Sequence, residues 1–211
     1  MDEASPENND PEFKIITLGN PGVGKTSIIQ RFVNDEFNPD QLSTLGVSLT
    51  FRVLTINKRK LKLKLIDTGG QEKYRAIAKN YFKHADVVLF VFDLNLKVSF
   101  ESIQYWIDLF NESADGDKTI LKYLIGNKCD LPQNVDQGLI DELVEKNKLL
   151  YMSTSALTKN QIDEMFEYIA GELYEHALKN EKNNKGKNTQ KGKILTESQL
   201  NQPTRRNNCC P

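Results

Sequence analysis

Gly19, Asn20, Pro21, Gly22, Val23, Gly24, Lys25 and Thr26 follow the pattern GxxxxGKT, directly behind the apolar run Phe13–Leu18. Glycines let successive backbone NH groups turn toward one point at the start of a helix, which makes a cradle for a phosphate. Lys25 adds a mobile cation that reaches the β and γ phosphates, and the Thr26 hydroxyl suits Mg²⁺, which takes oxygen ligands. Ser27 lies next along the helix start and joins Gly22, Val23 and Gly24 as a candidate phosphate contact.

A second constellation identifies the base. The run Ile120–Ile125 leads through Gly126 into Asn127, Lys128, Cys129 and Asp130, an NKxD pattern at a strand end. A carboxylate at Asp130 can accept from the N1 hydrogen and 2-amino group of guanine, a donor pair that adenine lacks. A wrong base leaves that carboxylate unpaired, so GTP or GDP is the expected ligand. Between the two motifs, Leu63–Ile66 delivers Asp67, Thr68, Gly69, Gly70, Gln71 and Glu72. Asp67 is placed to hold Mg²⁺ through a water, the Gly70 NH to approach the γ phosphate, and Gln71 to orient the attacking water.

With these three motifs in this order, residues 13 to 178 resemble the small GTPases of the Ras superfamily. The resemblance implies Gln71, Lys25 and Gly70 as catalytic residues and Thr26, Thr44 and Asp67 as the Mg²⁺ set. Thr44, seven residues after Phe37, resembles the threonine of the family's first switch, which holds the metal only while the γ phosphate is present. Phe37 would cover the guanine edge-on. Ser155, Ala156 and Leu157 stand where the family has SAK, with Ser155 and Ala156 offering backbone NH groups to the guanine oxygen.

The Rab branch is indicated by Leu45–Val47 for IGVDF, Lys73–Ala78 for RFRSIT, Tyr81–Ala85 for YYRGA and Val91–Leu94 for VYDI. The chain ends Cys209, Cys210, Pro211, with Asn208 where a CaaX signal would need cysteine. A double cysteine there resembles a Rab substrate for two geranylgeranyl groups. Implied partners are exchange factors, GTPase-activating proteins, escort proteins of the GDI type, effectors and a membrane, with no nucleic acid. The implied work is regulation of vesicle trafficking, on the cytosolic face of internal membranes with an escort-bound cytosolic pool.

Departures from the family pattern bear on mechanism. Pro21 has no NH to lend the cradle, Gly69 replaces an Ala before Gly70, Gln41 replaces a Tyr, and Leu157 replaces the Lys of SAK. Ser48 and Leu49 replace the Asp and Phe of IGVDF, and Ile66 replaces a Trp. They leave open an alternative: an interaction module that binds guanine nucleotide with little intrinsic hydrolysis. A phosphotransferase or ATPase of the P-loop class is the other rival, and Asp130 argues against it.

These turns need strands to present them. Strand-like runs near 13–18, 47–55, 61–66, 87–93, 119–125 and 149–153 alternate with helical patterns near 25–34, 73–82, 98–112, 134–147 and 160–178. The expectation is an α/β P-loop NTPase fold: a six-stranded, mostly parallel sheet with one antiparallel strand, flanked by about five helices. Asn57–Lys60 is a short polar turn, so the strands it joins should be the antiparallel pair. Trp106, the single tryptophan, reads as core of the third helix.

Composition fits one domain with appendages. Net charge is −1, but residues from Lys179 onward carry six Lys and two Arg against two Glu. That tail is +6, leaving −7 on the rest. Rich in Asn, Lys, Gln and Gly, it reads as a disordered basic segment, 179–211, behind a GTP-binding domain, 13–178, and a flexible acidic N-terminus, 1–12. Three cysteines, two at the tip, suggest no disulfide framework. The polar, acidic start gives no secretory signal, and no apolar run is long enough to span a bilayer.

Overall fold

The structure, a computed structural model, describes residues 10–70, 79–113 and 120–191, with side chains described as far as residue 179. The chain divides into two units, Met1–Tyr174 and Glu175–Pro211.

Six strands form one sheet: β1 (Glu12–Leu18), β2 (Val47–Ile56), β3 (Arg59–Thr68), β4 (Val87–Asp93), β5 (Leu121–Asn127) and β6 (Leu150–Ser153). Their order is β2-β3-β1-β4-β5-β6. Only β2 and β3 pair antiparallel; the other neighbours run parallel. All seven residues of β4 are buried, as a central parallel strand covered on both faces requires, whereas β2 alternates because it lies at an edge. The β2–β3 turn is tighter than the sequence suggests. Ile56 pairs with Arg59, leaving Asn57 and Lys58 as the two turn residues, at φ 48° and 66°. Positive φ at both positions matches the turn to the strands' twist.

The described helices are α1 (Lys25–Asn34), α2 (Lys97–Glu101), α3 (Ile103–Asn111), α4 (Gln137–Asn147) and α5 (Ile162–Lys191). Two apolar clusters form the core on the sheet's two faces. In one, Phe32 of α1 stacks on Phe166 of α5 with ring centroids 3.8 Å apart. In the other, Trp106 is 1% exposed among Phe90, Phe92 and Phe110.

Three expectations change. The helix read as 98–112 is interrupted at Ser102, which sits at φ −80°, ψ −9° and donates its hydroxyl to Val98 O at 2.8 Å. Such back-bonding to the carbonyl four residues earlier bends a helix. The strand read as ending at 125 continues through Gly126 and Asn127, which pair with Phe92 and Asp93. Gly126 serves packing: a Cβ there would lie 2.8 Å from Tyr151 Oη and 3.0 Å from Leu94. The last helix, read as ending at 178, continues to Lys191. The helix expected over 73–82 lies mostly outside the described residues.

Candidate functional site

In this sheet the strand order reverses about β1, and ligands in such folds bind beyond the carboxyl ends of the strands. The phosphate loop, the Asp67–Gly70 segment, the NKxD turn and Ser155–Leu157 lie at the ends of β1, β3, β5 and β6, and the segment with Phe37 and Thr44 leads into antiparallel β2. Behind β1, Gly19, Gly22 and Gly24 take φ of 148°, 75° and 99°. A Cβ on Gly19 would run into the Val91 carbonyl, and one on Gly24 into the Asn127 side-chain amide, so this loop accepts only glycine there. Lys25 is 5% exposed and its Nζ donates to Gly19 O and Asn20 O, both at 2.8 Å. Burial lowers its pKa to about 8, against the opposing pull of the Asp67 carboxylate.

Three oxygen-bearing side chains meet beside it. Thr26 Oγ1 donates to Asp67 Oδ2 at 2.6 Å and lies 2.6 Å from Thr44 Oγ1, which stands 3.4 Å from the same carboxylate oxygen. Burial raises the Asp67 pKa, opposed by the hydroxyls of Thr26, Thr44 and Thr17 and by Lys25. Among the described residues no three His, Cys, Asp or Glu gather to hold a metal. One carboxylate with two hydroxyls instead makes an all-oxygen set, the hard-donor chemistry of Mg²⁺, with coordination positions left for waters and phosphate oxygens.

Gly70 closes this side. A Cβ on it would stand 2.5 Å from Asn20 C, 2.5 Å from Pro21 N and 2.7 Å from Gly19 O, so β3's trailing loop lies directly on the phosphate loop. Gly69 N donates to Gly46 O at 2.7 Å, which ties the two switch-like segments together. Gln71 lies outside the described residues, as do Cys209 and Cys210.

A cavity of about 390 Å³ opens on the other side of the loop. Gly22, Gly24, Ser27, Phe37, Asn127, Lys128, Asp130, Ala156 and Leu157 all line it. Asn127 joins three of the motifs: Nδ2 donates to Val23 O at 2.8 Å, while Oδ1 accepts from Ala156 N and Thr154 Oγ1, each at 3.3 Å. Val23 itself is buried. The Asp130 carboxylate accepts from the Ser155 hydroxyl. Ser155 is therefore placed differently from the sequence expectation, because its NH donates to Asn160 O and its hydroxyl serves Asp130. Leu157 is about half exposed, and Arg31 donates to its carbonyl.

Motif reading misses four supporting residues. Arg31 of α1 holds the Ala156 and Leu157 carbonyls at 2.9 and 3.2 Å, and buried Asp93 pairs with Lys128 Nζ at 2.7 Å. Asn20 and Trp106 meet at 2.9 Å. Asn20 lies inside the phosphate-loop pattern and Asp93 inside the Val91–Leu94 segment, but neither pattern names these partners; Trp106, the single tryptophan, pointed to core.

Sheet order and converging turns together make this a P-loop GTPase of the Ras-like fold. A family profile described as Ras family matches residues 14–175. The Ras-related protein Rab11A of Lotus japonicus is 37% identical over 164 residues, covering 77% of this chain and 72% of that one. Ras-related protein RABA5c of Arabidopsis thaliana is 34% identical, covering 81% of this chain and 80% of its own length. GTP-binding protein YPT1 of Saccharomyces cerevisiae is 31% identical over 195 residues, covering 88% and 94%. The chain belongs to the Rab family of small GTPases, a family of vesicle trafficking.

Proposed function

We propose that this GTPase is a switch that cycles between a GTP-bound, effector-binding state and a GDP-bound state in vesicle trafficking. The reading is carried by the meeting of Thr26, Thr44 and Asp67 within 3.4 Å, beside Lys25 and next to the cavity that Asp130 lines. Guanine occupies that cavity, with Asp130 accepting from its N1 hydrogen and amino group and Phe37 at its edge. The phosphates lie over Gly22–Ser27, where backbone NH groups and Lys25 meet their charge. Thr26, Thr44 and Asp67 would hold Mg²⁺, which neutralises phosphate charge when bound. Gln71 orients the attacking water and the Gly70 NH meets the γ phosphate, while Lys25 stabilises charge that develops on the phosphate oxygens. Loss of the γ phosphate frees Thr44 and Gly70, and so changes the surface that partners read.

Among the described residues no arginine is assigned to the phosphate oxygens, so unaided turnover is about 10⁻⁴ to 10⁻³ per second and rises by several decades with an activating protein. We further propose the domain layout 1–12, 13–178 and 179–211, with two prenyl groups on Cys209 and Cys210. Two lipid chains are the number that stable anchoring takes. A peripheral anchor agrees with the finding that no described helix is long and apolar enough to cross a membrane.

Denaturing the purified protein and identifying the released nucleotide tests the central claim: GDP or GTP is expected, and an empty protein or adenine nucleotide overturns it. One observation favours the second reading, a binding module with little hydrolysis. Pro21, which offers no NH, lies under Gly70 where the γ phosphate would sit. Turnover of wild type and Gln71→Leu separates the two, because equal rates select the module.

A further inference from the structure

Asn20, inside the phosphate loop, has both ends of its side-chain amide engaged by a distant helix pair. The Trp106 indole NH can only donate, so it faces Oδ1, at 2.9 Å. Nδ2 then donates to Ser102 Oγ at 2.9 Å, and the Ser102 hydroxyl donates on to Val98 O at 2.8 Å. All three bonds point the same way, an arrangement in which each polarises the next. An amide is needed for this: a carboxylate could accept from both partners but donate to neither. The relay passes through Ser102, the residue that separates α2 from α3, and ends on the Val98 carbonyl.

The Asn20 peptide also occupies a crossing point. Its carbonyl is one of the two that hold Lys25 Nζ, and its carbonyl carbon is one of the atoms on which Gly70 rests. Anything that moves this peptide moves the lysine and the seat of Gly70 together. Trp106 is 1% exposed and packed in the core, so it provides a rigid anchor.

We propose that Asn20 is a positioning residue: its link to Ser102 and Trp106 fixes the phosphate loop, slows nucleotide release, and makes the single tryptophan a reporter of that loop. The proposal rests on the reading that this loop holds a guanine nucleotide. Release of a fluorescent GDP analogue is followed after mixing with excess GDP for wild type, Asn20→Ala, Trp106→Phe, Ser102→Ala and the double variant Asn20→Ala/Trp106→Phe. Loss of both side-chain hydrogen bonds of the loop should speed release about tenfold in Asn20→Ala, and loss of one of those two about threefold in Ser102→Ala. The double variant should release no faster than Asn20→Ala, because its second change removes a bond already lost.

Indole emission gives a signature that a purely structural role would not move. Removing GDP with EDTA should change Trp106 emission in wild type and leave it unchanged in Asn20→Ala. Release from Asn20→Ala within twofold of wild type overturns the tether, as does a multiplicative effect in the double variant or the same emission change in both proteins. If Asn20→Ala does not fold, Ser102→Ala decides alone, and release within 1.5-fold of wild type overturns it. A wild type that binds no GDP overturns the nucleotide reading itself, whereas unchanged release from a variant of a protein that does bind overturns only the tether.

Discussion

Replacing Gly70 by alanine should nearly abolish hydrolysis while leaving GDP bound. The added carbon would lie 2.5 Å from two backbone atoms of the phosphate loop and 2.7 Å from a third, where ordinary contact begins at 3.4 Å. The two segments must therefore part by the difference, 0.9 Å. Neither side has a flexible side chain that could absorb it. Gly69 is held to Gly46 O at 2.7 Å and Thr68 Oγ1 to Thr17 O at 2.7 Å, so the shift falls on Gly70 and the residues after it. Those residues begin with Gln71, the proposed water-orienting group. A misplacement of about 1 Å costs a reaction about 10²-fold, or about 2.7 kcal/mol of barrier. The cavity proposed for guanine opens on the other side of the loop, so GDP affinity should stay within about threefold. Single-turnover phosphate release from GTP-loaded protein, paired with GDP titration, measures both. Hydrolysis within threefold of wild type would show that the close approach of Gly70 has no part in placing Gln71.

GDP affinity should fall as pH rises above about 8, by up to tenfold per pH unit. The buried Lys25 ammonium loses its proton there in the empty protein but is needed against the phosphates. By the same linkage the empty protein gains stability from about pH 8 to 10.5, because over that window the unfolded chain keeps a proton that the folded lysine has released. Calorimetric titration and chemical unfolding across pH 7 to 10 check the pair; a flat affinity profile refutes it. GDP should outcompete ADP by about 10⁴-fold, and Asp130→Asn should remove most of that preference, since it exchanges one of two acceptors for a donor. Equilibrium competition against a fluorescent GDP analogue reads both. Phe32→Ala, which empties one half of the stacked pair with Phe166, should destabilise the domain by about 3 to 5 kcal/mol, seen as a lower urea midpoint with unchanged slope. A loss below about 1 kcal/mol would mean that the site collapses around the missing ring.

The site was legible where its chemistry is contiguous. A phosphate loop, an acidic strand end and an NKxD turn each lie within eight residues or fewer, and each follows an apolar run that announces a strand. Strand order could not be read this way, although the alternation of elements implied a parallel sheet. Local pattern gave one unbroken helix over 98–112, because a serine inside an amphipathic run looks like any exposed position until its hydroxyl is seen turned back on Val98. Strand pattern alone ends β5 before Gly126, whose lack of a side chain leaves room for Leu94 and Tyr151.

The sequence by itself determined the family and the motifs from which contacts to phosphate, metal and base are proposed, because backbone turns and side-chain donors at fixed local spacing define such motifs. Only the tertiary structure decided what holds these groups in place. Arg31 reaches Ala156 across 125 residues and Trp106 reaches Asn20 across 86. Asp93 meets Lys128 only because β4 and β5 lie side by side. Such pairs have no periodicity and no fixed separation; they exist because packing a sheet between helices brings distant side chains within hydrogen-bond reach.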